Sequence, residues 1–247
     1  MKLRICTYNI HKGFSQFNRR MVVHDLRERL RSLDVDLVFL QEVQGLHLRH
    51  SARHADWPVR PQHEFLAEDV WHQTAYGGNA VYDHGHHGNA ILSRHAILSM
   101  ANQDVSDHRF ERRGLLHCEV SLPGLESPVH CVCVHLGLMA GSRRRQMQAL
   151  AERMEQLAPG DTPLIVAGDF NDWRNHADEL IGRRLRLVDA FGRQHPPRSF
   201  PSTLPFFRLD RIYVRGFRVR DARVHFGRPW SQISDHAALT ADLELAH

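Results

Sequence analysis

Short apolar runs alternate along the chain with segments in which apolar residues recur every three or four positions. The first pattern is typical of β-strands and the second of amphipathic helices. Strands are predicted at residues 3–9, 35–40, 89–98, 115–122, 129–134, 163–167, 209–214, 217–226 and 237–245. Helices are predicted at residues 19–33, at 142–157 with Ser142 as the cap, in a shorter segment at 173–181, and in a segment that carries His47, His50 and His54. This mixture predicts an α/β chain.

The length and the absence of linkers predict one domain over residues 1–247. A hydrophobic fraction of 42% and a charged fraction of 24% are typical of a soluble globular protein. The first residues lack the features of a secretory signal, and no apolar stretch is long enough to cross a membrane. We therefore expect a cytoplasmic protein, and a monomer. The four cysteines lie in strand-like surroundings without a CxxC pair, which predicts buried reduced thiols.

The formal net charge is +4, and Lys2 and Lys12 are the only lysines among 32 basic residues. A mild basic excess suits a phosphate-bearing substrate, and the planar guanidinium of arginine can hold phosphate through two hydrogen bonds. The preference for arginine has a second explanation, which is the codon composition of a GC-rich genome. The charge therefore favours a phosphate-bearing substrate without requiring one.

Polar side chains recur at or just beyond the ends of the predicted strands. A single acid after a strand is usually a turn former or a helix cap, but repetition at most strand ends favours a shared pocket. Carboxylates are hard oxygen ligands that suit Mg²⁺ or Mn²⁺ better than zinc, and histidine can donate to phosphate or transfer protons near neutral pH. The set predicts a metal-assisted phosphoester hydrolase. Its members are Asn9, Glu42, His135, Asp169, Asn171, Asp210, Asp235 and His236.

Six short segments occur in a fixed order between Tyr8 and His236, namely TYNI, LQEV, VHLG, GDFN, RLDRIYV and SDH. In this order they resemble the endonuclease/exonuclease/phosphatase superfamily, which includes pancreatic deoxyribonuclease, apurinic-site endonucleases, neutral sphingomyelinases and inositol-phosphate phosphatases. The resemblance covers nearly the whole chain. It implies a four-layered α/β sandwich, in which two packed mixed β-sheets are flanked by helices and the active site lies at one edge between them.

The resemblance also implies roles at the metal and at the attacking water. Glu42 matches the metal-binding glutamate, Asn9 the asparagine beside it, and Asp235 an aspartate near the metal. Asp169 matches the aspartate that orients or deprotonates the attacking water, and Asn171 the asparagine that supports it and contacts phosphate. The implied cofactor is Mg²⁺, with Mn²⁺ as a substitute.

Four further residues match positions around the scissile phosphate. His236 matches the histidine that touches this phosphate, and Asp210 the aspartate that fixes the tautomer of that histidine. His135 matches a histidine of the deoxyribonuclease and sphingomyelinase branches, where it faces the phosphate or the leaving group. Arg113 matches, less closely, an arginine that faces the phosphate.

Some of these residues keep a structural alternative. Asn9 could end a strand without a further role, and Asp210 could form a buried ion pair with Arg208 or Arg211. Asp172 matches no family position and is interpreted as a helix cap.

Two other basic groups each have a binding and a structural interpretation. His84, His86 and His87 lie in a glycine-rich loop without cysteine partners, which favours surface histidines over a zinc site. The run 143–145 of three arginines is interpreted as a solvated helix face, with contact to a substrate phosphate as the alternative.

The sequence favours one substrate class and leaves another open. We expect a Mg²⁺-dependent phosphodiesterase that acts on nucleic acid, because the set of site residues is complete and arginine is abundant. The alternative is a phosphodiesterase or phosphatase that acts on a phospholipid or inositol-phosphate head group, with the apolar stretch 204–207 in peripheral contact with lipid. A non-catalytic binding module is not favoured, because no residue of the set is missing. Loops 45–72, 82–88 and 192–207 are expected to set specificity.

Overall fold

The computed structural model describes residues 1–15, 20–47, 56–82, 85–108, 111–192 and 196–246. The described strands are β1 (Lys2–Asn9), β2 (Leu37–His47), β3 (Gln73–Tyr82), β4 (Gly85–Ser93), β5 (Ile97–Asp104), β6 (Gly114–Val120), β7 (Val129–His135), β8 (Leu164–Asp169), β9 (Val188–Asp189), β10 (Asp210–Arg215), β11 (Phe217–His225) and β12 (Ala238–Leu245). The described α-helices are α1 (Val23–Ser32), α2 (Gln62–Ala67) and α3 (Ala140–Leu157). A π-helix lies at Asp178–Arg183, and 3-10 turns lie at His11–Gly13 and Trp230–Gln232.

The strands form two six-stranded sheets, the first in the order β11-β12-β1-β2-β4-β3 and the second in the order β5-β6-β7-β8-β10-β9. Each sheet is mixed, because β1 and β2 run parallel in the first and β7 and β8 run parallel in the second. Side chains from both sheets, such as Phe39 and Ile165, share one buried apolar cluster. Helices α1 and α2 pack on the outer face of the first sheet, and α3 packs on the outer face of the second. The predicted four-layered α/β sandwich is confirmed.

Strand β8 illustrates why its sequence is a continuous apolar run. Successive side chains of a strand point to opposite faces, so a strand between a partner sheet and a helix is buried on both faces. Ile165 and Ala167 lie in the cluster between the sheets, whereas Leu164 and Val166 pack in the cluster beneath α3. All six residues of β8, including its last residue Asp169, are buried.

The strand registers bring the predicted polar residues to one edge of the sandwich. In the first sheet Asn9, the last residue of β1, pairs with Gln41 of β2. In the second sheet His135, the last residue of β7, pairs with Asp169, and Asp169 pairs in turn with Asp210 at the start of the antiparallel β10. The ends of parallel strands and the start of an antiparallel neighbour meet at one edge of a sheet, which is why residues far apart in sequence meet here.

The strands around this edge differ from the prediction in two places. The strand predicted at 35–40 begins at Leu37 and continues to His47, so the helical prediction is wrong at His47. His50 and His54 lie outside the described residues. The strand continues because the polar residues beyond position 40 pair with β4.

Two further strands differ from the sequence prediction. The predicted strand 89–98 is divided between β4 and β5, since the chain turns at residues 94–96 and the two halves join different sheets. The prediction misses β3, in which Gly77 and Gly78 interrupt the apolar pattern.

The predicted cap of the long helix is wrong. Helix α3 begins at Ala140, after Met139, and Ser142 lies inside its first turn. The hydroxyl of Ser142 donates to a carboxylate oxygen of Asp107 at 2.7 Å, and therefore joins the helix to a loop instead of capping it. The segment predicted to be helical at 173–181 is helical only in its second half, because residues 173–176 are turn and irregular structure and the chain is helical from residue 177 into the π-helix.

No helix in the described parts of the chain is long and apolar enough to cross a membrane. The four cysteines are buried and free, as predicted. Burial raises the pKa of the Cys118 thiol to about 12, which keeps it protonated and unreactive.

Candidate active site

Asn9 and Asp169 connect the two sheets at the edge where β1 and β8 end. The amide Nδ2 of Asn9 donates a 3.1 Å hydrogen bond to Oδ2 of Asp169, and both side chains are buried. The amide Oδ1 of Asn9 accepts the backbone N–H of His11 at 3.2 Å. Asn9 therefore joins the sheets, which a residue that merely ends a strand would not do.

Asp169 lies among several polar side chains. Its Oδ1 accepts the backbone N–H of Asn171 at 2.9 Å, while Oδ2 lies 3.6 Å from Nε2 of His135 and 3.8 Å from Nε2 of His236. Burial raises the pKa of Asp169, because a charged carboxylate loses its hydration there, and the charge of His236 offsets this only in part. A carboxylate with a raised pKa accepts a proton more readily near neutral pH.

His236 and Asp210 form a buried pair next to Asp169. Nδ1 of His236 lies 2.8 Å from Oδ2 of Asp210. Because an ionised carboxylate can only accept a hydrogen bond, this contact assigns a proton to Nδ1 and leaves Nε2 on the side of Asp169. Burial lowers the pKa of His236, but the charges of Asp210 and Asp169 outweigh burial and raise the pKa above its ordinary value.

Asn171 ties the loop after β8 to the loop after β7. Its Nδ2 donates to the backbone carbonyl of Leu136 at 2.9 Å, and its backbone has a left-handed φ of 48°. Leu136 directly follows His135, whose pKa is lowered by burial and by the nearby charge of Arg113. His135 is therefore a neutral imidazole at neutral pH, able to accept or donate one hydrogen bond at each nitrogen.

Glu42 projects from an irregular point in β2. The register with β4 shifts between Leu40 and Val43, and Glu42 has a left-handed φ of 57°, as in a β-bulge. The carboxylate Oε2 of Glu42 lies 3.8 Å from Nζ of Lys12, and the Glu42 side chain is 20% exposed. A bulge re-aims a side chain relative to its strand, which explains how a residue within a strand can face the site.

Asp235 pairs with a histidine that the sequence did not single out. Its Oδ1 lies 3.4 Å from Nδ1 of His11. Burial raises the pKa of Asp235, but the hydrogen bond from His11 and the charge of His236 lower it below its ordinary value overall. His11 and Lys12 directly follow the TYNI segment that contains Asn9, so a turn adjacent to a matched segment was the one available sequence signal for both.

The guanidinium of Arg113 is held by protein oxygens. It donates to the backbone carbonyls of Leu136 and Arg112 and to the carboxylate of Glu111, each at 3.2 Å. Its charge acts on His135, but the described contacts do not bring it to Asp169. Its phosphate-facing role, like the individual roles of the other site residues, stays a prediction.

The sequence profile of the Endonuclease/Exonuclease/phosphatase family matches residues 6–236. The chain belongs to this family. It is 44% identical over 244 residues to the uncharacterized protein YbhP of Escherichia coli strain K12, with 98% of this chain and 96% of YbhP covered.

Solved structures share the fold at lower identity. One is an endonuclease/exonuclease/phosphatase from Beutenbergia cavernae, with a TM-score of 0.78, 20% identity, and coverage of 99% of this chain and 72% of that one. Another is a mannosyl-6-phosphatase of Bacteroides thetaiotaomicron, with a TM-score of 0.73, 17% identity, and coverage of 98% of this chain and all of that one. Members of the Endonuclease/Exonuclease/phosphatase family are metal-dependent phosphoester hydrolases, and this chain is an enzyme of that class.

Two groups of residues could hold the divalent metal of this enzyme class. Asp169, Asp210 and His236 each offer an atom within 4.8 Å of the others. However, Nδ1 of His236 and Oδ2 of Asp210 already form a hydrogen bond with each other, and all three side chains are almost fully buried. Glu42 and Asp235 are about one-fifth exposed, which suits a hard cation that keeps several water ligands. The donor set fits a hard divalent cation, and the role of Glu42 and Asp235 as its ligands stays a prediction.

An exposed aromatic group adjoins the buried histidine of this site. The Phe200 ring lies 5.1 Å from the His236 ring, and Trp173 contacts both Phe200 and Phe207 in edge-on geometry. Phe206 packs on Phe207 and is 56% exposed. We call this group the aromatic rim; its members are Trp173, Phe200, Phe206 and Phe207.

The other acids and arginines near the site pair with each other. Arg208 pairs with Asp189, and Arg211 lies 3.4 Å from the carboxylate of Asp172, so neither arginine takes the place of His236 beside Asp210. Asp172 also accepts the backbone N–H of Ala177 at 2.8 Å. That bond closes a turn ahead of the π-helix, so Asp172 stabilises the approach to a helix without being its N-terminal cap residue.

The described residues of the histidine run and of the arginine run contact other groups of the protein. Nδ1 of His86 lies 2.8 Å from the hydroxyl of Tyr76, and burial lowers the pKa of His87 to about 4; His84 lies outside the described residues. Arg143 is buried and donates to backbone carbonyls, which contradicts a solvated face at that position, whereas Arg145 forms an ion pair with Asp107.

Proposed function

We propose that this enzyme is a Mg²⁺-dependent phosphodiesterase that acts on nucleic acid. The observation that carries the proposal is the hydrogen-bonded group around Asp169, in which Asn9 from one sheet and His135 and His236 lie within 4 Å of one carboxylate oxygen. A buried acid with a raised pKa beside two imidazoles suits proton transfer during attack of water on phosphorus.

In this proposal each residue near Asp169 has a separate task. Asp169 accepts the proton of the attacking water, and Asn9 and Asn171 hold its two oxygens in orientation. His236, kept cationic by Asp210, donates from Nε2 to a phosphate oxygen, and neutral His135 donates on the leaving-group side. A divalent cation at Glu42 and Asp235 would offset the negative charge that develops on the phosphate.

The aromatic rim supports nucleic acid as the substrate. Bases stack on exposed aromatic rings irrespective of sequence, which is how many single-strand binders hold their ligand. Trp173 and Phe206 are about half exposed, and the rim begins 5.1 Å from His236. A strand with its phosphate at His236 would therefore have an adjacent surface for a base.

The test is a substrate panel assayed with Mg²⁺ and with Mn²⁺. It contains duplex and single-stranded DNA, RNA, a phosphomonoester, a phospholipid and an inositol phosphate. We expect cleavage of nucleic acid, with activity reduced roughly 100-fold or more in Asp169→Ala and His236→Ala. Asp161→Ala, at a carboxylate 89% exposed, is the matched control. Absence of nucleic-acid cleavage with turnover of another panel member would reject the substrate assignment.

Glu42→Gln tests the proposed metal ligand separately. Loss of one carboxylate charge weakens a hard-cation site, so the Mg²⁺ concentration for half-maximal activity should rise while saturating activity falls less. An unchanged Mg²⁺ dependence would contradict the assignment of Glu42.

A lipid or inositol-phosphate head group is the second candidate substrate, and the exposed apolar side chains at the aromatic rim are the reason to consider it. Leu204 is 73% and Phe206 is 56% exposed beside the site, an arrangement that can also enter a membrane surface. Flotation with anionic liposomes should then be lost when Phe206 and Phe207 are changed to Ser. Equal flotation of the variant and the unchanged enzyme, or none by either, would remove this candidate.

A further inference from the structure

The turn His11–Gly13 holds two consecutive non-glycine residues in left-handed backbone. His11 has φ 45°, and Lys12 has φ 60° and ψ 17°. Residues with a Cβ avoid this region, and such strain tends to persist where a side chain must be aimed for function. The strain begins two residues after Asn9, so it can aim two side chains into the site.

A buried glutamine maintains this turn from outside it. Nε2 of Gln62 donates to the backbone carbonyl of Lys12 at 2.8 Å, and Oε1 of Gln62 accepts the backbone N–H of Gln44 at 2.8 Å. Gln44 lies two residues beyond Glu42 in β2. One side chain therefore fixes the position of Lys12 relative to the strand segment that carries Glu42.

The consequence is an ammonium group beside the proposed metal ligand. Nζ of Lys12 lies 3.8 Å from Oε2 of Glu42, and the Lys12 side chain is 38% exposed. Burial lowers the pKa of His87 and of His135, and the positive charge of Lys12 lowers both further, so this charge acts on His135 of the site as well as on Glu42. Within the described parts of the chain, Nζ makes no hydrogen bond that would commit its three donors.

We propose that Lys12 binds a non-bridging oxygen of the substrate phosphate, and that its charge weakens the hold of Glu42 on a divalent cation. This inference rests on the proposed function for the position of the phosphate. An ammonium group near Glu42 repels a second cation there and attracts a phosphate dianion or diester. Removal of the charge must therefore move the two affinities in opposite directions.

The experiment measures binding by calorimetry on Lys12→Met, with Mn²⁺ alone as the first probe. The second probe is inorganic phosphate, added to protein saturated with Mn²⁺. The Kd for Mn²⁺ should fall roughly threefold or more, the scale of one exposed charge pair. The Kd for phosphate should rise roughly tenfold or more, the scale of one charge-assisted hydrogen bond. Lys12→Arg should restore phosphate binding, because it keeps the charge.

The chain supplies a matched control in its other lysine, which lies at the start of β1, whereas the turn with Lys12 follows the end of that strand. Lys2 begins β1 and Asn9 ends it, so Lys2→Met removes an equal charge far from the site and should change neither Kd. If Lys12→Met weakens the binding of both Mn²⁺ and phosphate, the role of Lys12 is merely structural. If neither Kd changes, Lys12 takes no part in binding either ligand. Either result overturns the inference.

Failure of this inference is distinguishable from failure of the proposed function. The two binding constants are measured without turnover, so they do not depend on which phosphoester is cleaved. If nucleic acid is not cleaved and the affinities still shift in opposite directions, the substrate assignment fails and the role of Lys12 stands. If nucleic acid is cleaved and the affinities do not shift in opposite directions, the role of Lys12 fails and the substrate assignment stands.

Discussion

At the scale of single residues, the site depends on how charge is shared between two buried acids and one imidazole. Asp169 and Asp210 both lie within 4 Å of a nitrogen of His236. A buried carboxylate without a partner would be costly, so the imidazolium offsets part of the charge of both acids. The pKa of His236 therefore depends on the charges of both acids as well as on the burial of the histidine.

Asp210→Asn tests this dependence at one atom pair. Loss of the Asp210 charge should lower the pKa of His236, because that charge is one of the causes that raise it. The protonated imidazole is then lost at a lower pH, so the alkaline limb of the rate profile should move to lower pH. We expect kcat to fall roughly 10- to 100-fold, as for other groups that orient a functional histidine.

Asp161→Asn is the control for Asp210→Asn, since it removes an exposed carboxylate paired with Arg186. A fall in kcat with an unshifted alkaline limb would show that Asp210 holds His236 in position without tuning its charge.

The sequence singled out the candidate site residues more completely than the residues that contact them. Asn9, Asp169, Asp210 and His236 were found because each belongs to a short segment in a recognisable order. The contact between Lys12 and Glu42 could not be found in this way, because it depends on a left-handed turn held by a glutamine fifty residues further on. Long-range contacts of this kind leave no local pattern.

At the scale of elements, close approach of β7 and β8 fixes the position of Asp169. Gly168 has φ 148°, and a Cβ added there would lie 2.0 Å from the backbone oxygen of Val134. A glycine at this point lets the two strands pair up to their last residues, His135 and Asp169. The glycine of the GDFN segment is thus required by packing beside Asp169.

Gly168→Ala should destabilise the protein by about 2 to 4 kcal/mol, since it adds a backbone clash to an unfavourable φ. Gly124→Ala is the control, because Gly124 also has a left-handed φ, of 81°, but nothing lies within 4 Å of its added Cβ. That variant should lose about 1 kcal/mol. Urea unfolding measures both free energies, and equal losses would mean that the contact with Val134 relaxes at no cost.

The strand predictions failed where the pattern of apolar and polar residues no longer corresponds to a regular, continuously paired strand. Residues 41–47 continue β2 although several are polar, because Val43, Gln44 and His47 keep the pairing with β4. The prediction missed β3 because Gly77 and Gly78 interrupt its apolar pattern, although the strand pairs with β4 along its length. Apolar periodicity predicts the parts of a strand that pack, and it is silent about the parts that carry chemistry.

At the scale of the whole molecule, the site exists only when the sheets are stacked. The first sheet contributes Asn9 and Glu42, the second contributes His135 and Asp169, and the Asn9–Asp169 hydrogen bond spans the gap. The fold could be predicted from the order of short segments, since that order specifies a family. The aromatic rim could not, because its rings come from separate loops that meet only in the folded chain.

Buried neutral histidines should also make the whole molecule sensitive to acid. Burial lowers the pKa of His117 to about 4, and it lowers the pKa of His63, His130 and His225 in the same direction. The folded pKa lies below the unfolded value of about 6.5, so the unfolded chain binds protons that the folded chain excludes. Stability from these groups is therefore present above about pH 6.5 and is lost as pH falls toward 4.

The free energy of unfolding in urea at about pH 7.5 and about pH 5 measures this loss, and His117→Gln isolates one contributor. Nε2 of His117 lies 2.9 Å from Nδ1 of His130 in a stacked pair, so each proton added there meets a second imidazole. The variant should be less stable at neutral pH but should lose less stability on acidification. His72→Gln, at an exposed histidine, should leave the pH dependence unchanged. An equal acid-induced loss in all three proteins would mean that the acid sensitivity arises elsewhere than in the His117–His130 pair.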